Sequence, residues 1–296
     1  WINVIEIKSN NVTISSFTIE GTLNGVYIDG DYAHITNNII LKNTHYGIHS
    51  CRSSYHNIDN NLISKTLRGI HLDVSHHNKI NDNTLSNNRN GINLQYSVNN
   101  TVIDNNFYSD GIEILGKIKH WGTHVIEKNF ANGRPIKFYK NLEDVVIQNN
   151  ATQVILVNCT SVRLNGLNTS DVDIGIRIGF SKNCIIQNST SSNNNDEGIL
   201  FCNSSNNIID NNNISNNYIG INQFYHSSNN FISNNTLTKN KEYSIDISGK
   251  NNTIVGNNFI SNKKGIHLSH VSNIFIANNY FNDNIGDSIY TFTEVS

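Results

Sequence analysis

A short motif recurs about every 22 residues along this chain, and each copy is too small to bury its own apolar side chains. In residues 197–221 (EGILFCNSSNNIIDNNNISNNYIGI) a glycine opens an apolar run at Gly198-Ile199-Leu200-Phe201. A polar turn follows, then Ile208-Ile209, then an asparagine corner at Asn211 to Asn213. A last brief run at Ile214 leads to Gly220-Ile221, where the pattern restarts. Such a unit gains a core only by stacking on copies of itself. The copies are at hand: Gly25-Val26, Gly47-Ile48, Gly69-Ile70, Gly91-Ile92, Gly111-Ile112, Gly175-Ile176, Ser244-Ile245, Gly265-Ile266 and Ser288-Ile289. The runs alternate β-branched and aromatic residues with period 2, and no 3.6-residue periodicity persists long enough for a helix.

These features predict an all-β fold, a single-stranded right-handed parallel β-helix of about 12 coils of about 22 residues. One domain over residues 1–296 is expected, with an irregular insertion near residues 115–135. Composition agrees. Apolar residues make up only 37% of the chain, because each coil turns few side chains inward, and there is one Pro, as ladders that use most backbone N–H groups require. The net charge of -2 leaves no nucleic-acid footprint, and no apolar run is long enough to span a bilayer. No secretory leader is visible, but the chain begins at Trp1 already in strand-like sequence, which is consistent with a removed leader.

Asn accounts for about a fifth of the residues and keeps step with the repeat at Asn38, Asn61, Asn83, Asn212, Asn235, Asn258 and Asn279, with a register uncertain by one residue. At corners the backbone enters the left-handed region, which Asn tolerates, and stacked Asn side chains form amide ladders. The Asn columns are therefore read as structural. Sequons such as those at Asn99, Asn158, Asn188 and Asn234 follow from this composition and argue nothing for glycosylation.

The N-N-x-I-x-x-N … G-I-x-L repeat, with the GRPI and QVILVNC segments inside residues 133–159, resembles the NosD-like or CASH family of parallel β-helix proteins of archaeal and bacterial surfaces. That resemblance implies a cell-surface or extracellular location and contact with polysaccharide or glycoconjugate, as binder or enzyme. NosD itself is associated with copper delivery. The residues here speak against copper: there is no Met and no C-x-x-C, and Cys51, Cys159, Cys184 and Cys202 stand apart. Ca2+ is conceivable but has no motif, so no cofactor is expected. Cys159 and Cys184 fall on neighbouring coils, close enough to consider a disulfide, although buried small apolar residues are the favoured reading.

In Gly-Ile-x-Leu-x the two x positions point outward. Down the stack they present Tyr27, His49, His71, Asn93, Glu113, Lys137 and Arg177 in one column, and Cys51, Asp73, Gln95 and Tyr139 in the next. The candidate catalytic residues are His71, Asp73, Glu113, Lys137 and Arg177. Two carboxyls two coils apart suit glycoside hydrolysis, while a His base with cations beside a uronate suits β-elimination. The candidate substrate-binding residues are Tyr27, His49, Asn93, Gln95, His120, Trp121 and Tyr139. Trp121, on the repeat-breaking segment 117–124, is expected to stack on a sugar beside His120. Outward positions of any solenoid are polar, so a plain structural face is the competing reading. His76, His77, His226 and His270 sit at turns and read as solvated. Neither terminus carries an obvious cap, which points to flanking domains in a longer protein or to end-to-end self-association. A non-catalytic structural or adhesin-like surface protein is the alternative to the polysaccharide reading.

Overall fold

A computed structural model describes residues 2–148, 150–224 and 227–292. The chain divides into two compact units, Trp1–Lys137 and Phe138–Ser296. In the first, every turn contributes three strands to three parallel sheets. The long strands Asn3–Ile7, Asn24–Ile28, Tyr46–Cys51, Arg68–Asp73, Asn90–Gln95 and Ile112–Leu115 form one six-stranded sheet. Three-residue strands such as Asn57–Asp59 and Leu62–Ser64 build the other two. The second unit repeats the plan, its long strands running from Gln153–Val157 through Glu197–Cys202 to Ile289–Phe292. The long strands number six in the first unit and seven in the second, about 13 turns of all-β parallel solenoid, in line with the repeat count.

The core follows from alternation. Val26, Ile48, Ile70, Ile92 and Ile112 stack inward on the long strands, and Ile35, Ile58 and Ile80 do so on a second sheet, all fully buried. The glycine that opens each long strand is required by the stacking distance. A Cβ on Gly69 would sit 2.7 Å from the Gly91 carbonyl oxygen and 2.7 Å from a Leu85 methyl, closer than real atoms approach.

The asparagine corners divide two tasks between adjacent residues. Asn37, Asn60, Asp82 and Asp104 take the left-handed backbone, with φ near +56°, as do bulkier residues such as Val74 and Tyr96 at other corners. The next residue in each coil, Asn38, Asn61, Asn83 and Asn105, points inward. The Asn61 backbone N–H and its side-chain amide both donate to Asn83 Oδ1 at 3.0 Å, and Asn83 donates likewise to Asn105. The same ladder runs Asn212, Asn235, Asn257, Asn279 in the second unit.

Three sequence expectations need correction. The break in the repeat is a short α-helix, Ile118–Gly122, where no helix is expected. Trp121 within it is fully buried and His120 nearly so. Trp121 is therefore not an exposed stacking platform. The sheet that carries Tyr27 to Glu113 ends at Ile112–Leu115, so Lys137 does not continue its column. Lys137 lies on Arg134–Lys140, which pairs antiparallel with Phe130–Ala131, on a different sheet. Tyr139 and Arg177 belong to the second unit, where Ile155, not Lys137, precedes Arg177 in register. All four cysteines are free thiols. Cys159, Cys184 and Cys202 are buried, and burial raises each thiol above its usual range, Cys184 to about 11.

Candidate functional site

Register alone assembles the outward face of the first unit. Parallel pairing sets Tyr27 beside His49, His49 beside His71, His71 beside Asn93, and Asn93 beside Glu113. The neighbouring column sets Cys51 beside Asp73 and Asp73 beside Gln95. Strands one coil apart are about 4.8 Å distant, so these side chains touch without any loop to arrange them.

The first column is closed rather than open. His71 is only 3% exposed and Asn93 is fully buried. His71 Nδ1 bonds Asn93 Oδ1 at 2.8 Å, and Asn93 Nδ2 donates to a Glu113 carboxylate oxygen at 2.6 Å. The His71 ring stacks on Tyr46 at 4.9 Å and lies 5.0 Å from His49, while Arg68 sits over Tyr46 at 5.8 Å. Burial, with His49 and Arg68 nearby, lowers the His71 pKa to about 3. A ring so covered and so weakly basic is poorly placed to accept a substrate proton at neutral pH. Burial and then Arg68 lower His49 to about 4, so both imidazoles are neutral.

The second column differs. One donor atom each from His49, Cys51 and Asp73 lie within 4.8 Å of one another, and all three residues are half-buried. Both His49 ring nitrogens are shielded from solvent and have no hydrogen-bond partner among the described residues. Burial, followed by the Cys51 thiol that it hydrogen-bonds, raises the Tyr27 hydroxyl to about 12. The sequence listing of columns put Cys51 across from Asp73 but gave no sign that His49, two residues earlier on the same face, would converge on them.

Of the remaining expected site residues, Gln95 is half-buried and follows Asp73 in register. His120 Nδ1 accepts from the Lys117 backbone N–H at 2.9 Å, which closes the helix start. Arg177 is 1% exposed in the second unit. His226 lies outside the described residues, and His270 is exposed.

The second unit carries a cleft of about 580 Å3. Its walls exist because Tyr243–Lys250 and Lys264–Ser272 run longer than other strands and slip register between Ile247 and Gly249. Asn222, Phe224, Asp246, Ser248, Lys250 and His270 line it. Phe224 is 46% exposed. Behind the cleft, His267 Nδ1 bonds Asp246 Oδ1 at 2.8 Å, and the His267 ring stacks between Tyr243 and Tyr290. Burial raises the Asp246 pKa, against the His267 contact that lowers it. Asp246 and His267 occupy equivalent positions on neighbouring strands, a spacing that does not by itself reveal the cleft. The available signal was length: Ser248-Gly249-Lys250 extends the strand past its usual turn.

Comparison with known proteins gives distant structural similarities and one family. Among solved structures, the A-module of a mannuronan C-5 epimerase from Azotobacter vinelandii is 12% identical, with 98% of this chain and 76% of that chain covered at a TM-score of 0.37. DFA-IIIase from Arthrobacter chlorophenolicus is 9% identical, covering 92% of this chain and 60% of that one at 0.40. PfbA, a surface adhesin of Streptococcus pneumoniae, is 11% identical, covering 90% and 85% at 0.39. No curated protein matches. No helix among the described residues is long and apolar enough to cross a membrane. The family model described as "Periplasmic copper-binding protein (NosD)" matches residues 3–137 and 123–291, nearly the whole solenoid, and the chain belongs to the NosD family.

Proposed function

We propose that this chain is an exported β-helix of the periplasm or cell surface that engages polysaccharide, and that it does so at the cleft of the second unit. The observation that carries this reading is the lining. An exposed aromatic ring, Phe224, faces a space also bordered by a carboxylate, an amide, hydroxyls and a lysine. Sugar recognition uses that combination, with the apolar face of the ring packed on an aromatic and its hydroxyls bonded to fixed polar groups. A volume of about 580 Å3 suits one or two sugar units, and the open outward face lets a polymer continue past it.

Binding is better supported than cleavage. The acid–base set of His71, Asp73, Glu113, Lys137 and Arg177 does not share one open face, since His71 and Arg177 are buried and Lys137 sits on another sheet. At the cleft, Asp246 lines the space and His267 is its bonded partner behind it, the acid–base pair that chemistry would use. The internally bonded His71–Asn93–Glu113 column favours a second reading, a structural or adhesin-like role in which the first unit is a passive face. The test is a panel of soluble neutral and uronate polymers run in affinity gels with the whole chain, Phe224→Ala and Asp246→Asn. Retention by a polymer, lost in both variants, supports the cleft. Retention unchanged in both variants, or no retention by any polymer, overturns it. Release of reducing ends or unsaturated uronates, abolished by Asp246→Asn, adds cleavage.

A further inference from the structure

We propose that His49, Cys51 and Asp73 form a three-donor site for Zn2+. The argument starts from geometry. His49 and Cys51 are two residues apart on one strand and so face the same way, and Asp73 lies opposite Cys51 on the next coil. Their donor atoms, an imidazole nitrogen, a sulfur and a carboxylate oxygen, are mutually within 4.8 Å. Tetrahedral coordination with metal–ligand distances of about 2.0 to 2.3 Å needs donors about 3.5 Å apart, a contraction that side-chain rotation supplies.

The second observation is His49 itself. Hydrogen-bonding nitrogens hidden from water normally have partners, and both of these lack one among the described residues. A cation between His49, Cys51 and Asp73 would give one of them its partner. The neighbouring His71, whose Nδ1 bonds Asn93, is not one of the converging donors. The donor set is the mixed nitrogen, sulfur and oxygen type that suits Zn2+, and does not suit Ca2+ or Mg2+, which take oxygen. Three protein donors leave a fourth position open. Loading would release the Cys51 thiol proton to solvent as sulfur becomes a thiolate ligand.

The probe is Co2+, added anaerobically to the reduced whole chain. A near-ultraviolet sulfur-to-cobalt charge-transfer band that saturates at one equivalent is expected. Cys51→Ser should abolish the band, Asp73→Asn should weaken Co2+ binding at least tenfold, and Cys202→Ser should leave the band unchanged, with far-ultraviolet circular dichroism confirming that each variant folds. Zn2+, which is redox-inert, should bleach the band by displacing Co2+. Absence of the band, its persistence in Cys51→Ser, or failure of Zn2+ to displace cobalt overturns the assignment.

Discussion

Asp110 occupies a rung that is asparagine in other coils, and replacing it with Asn should stabilise the protein at neutral pH. Its two carboxylate oxygens accept from the Asn88 backbone N–H at 2.8 Å and from Asn88 Nδ2 at 2.6 Å. In the second unit the corresponding rungs, such as Asn217 to Asn240, make both bonds to a single amide oxygen. Asp110 is fully buried, and burial raises its pKa to about 7 against the lowering effect of the Asn88 bonds. The unfolded value is about 3.9, so between about pH 4 and pH 7 the folded chain holds a proton that the unfolded chain has released. Stability contributed by this group therefore falls as pH rises through that window, and above it the cost reaches about 4 kcal/mol. Buried His56, lowered to about 4 by desolvation, has the opposite slope: its unfolded form binds the extra proton, so stability rises with pH between about 4 and 6.5. The wild-type profile mixes these terms, and the difference between wild type and Asp110→Asn isolates one. Urea unfolding followed by circular dichroism at pH 4.5, 6 and 8 should show the variant near parity at the lowest pH and more stable by up to about 4 kcal/mol at pH 8. Equal stability at pH 8, or an advantage that grows as pH falls, would refute the assignment of a buried, protonatable rung.

Asn83→Ala leaves the Asn61 backbone N–H unpaired in the core and removes the Asn83 amide from the Ile58 and Asn81 carbonyls, so a loss of about 3 to 5 kcal/mol is expected in the same urea assay. Gly69→Ala forces a methyl against the Gly91 carbonyl and Leu85, and should cost about 1 to 3 kcal/mol. Ile70→Ala opens a cavity in a fully buried stack and should cost about 2 to 5 kcal/mol, measured as a lower urea midpoint with an unchanged slope. Phe224→Ala, at a ring 46% exposed, should change stability by no more than about 0.5 kcal/mol while weakening polymer retention about tenfold; a large loss of stability would mean that the ring is structural.

The solenoid was legible because one physical constraint repeats. Once Ile48, Ile70 and Ile92 are seen to recur with glycine before them, the parallel register of His49, His71 and Asn93 follows without knowledge of any loop. The same logic explains where reading fails. Outward on a β-strand means away from the core, not into water. Neighbours 4.8 Å above and below, together with Tyr46 and Arg68, cover His71 as completely as a core would. A column list names which residues are adjacent but not which rotamers they take, so it shows Cys51 across from Asp73 and misses the turn of His49 toward both. Departures from the repeat are less legible still. The helix at Ile118–Gly122 is five residues long, too short to leave a 3.6-residue signature, although it buries Trp121 completely. The cleft depends on a register slip at Gly249 and on two strands that outrun their neighbours, which are properties of pairing between coils and of no single coil's sequence. Function in such a fold is therefore to be sought where the period breaks or where a buried donor lacks its partner. Gly249 and His49 are those two places here.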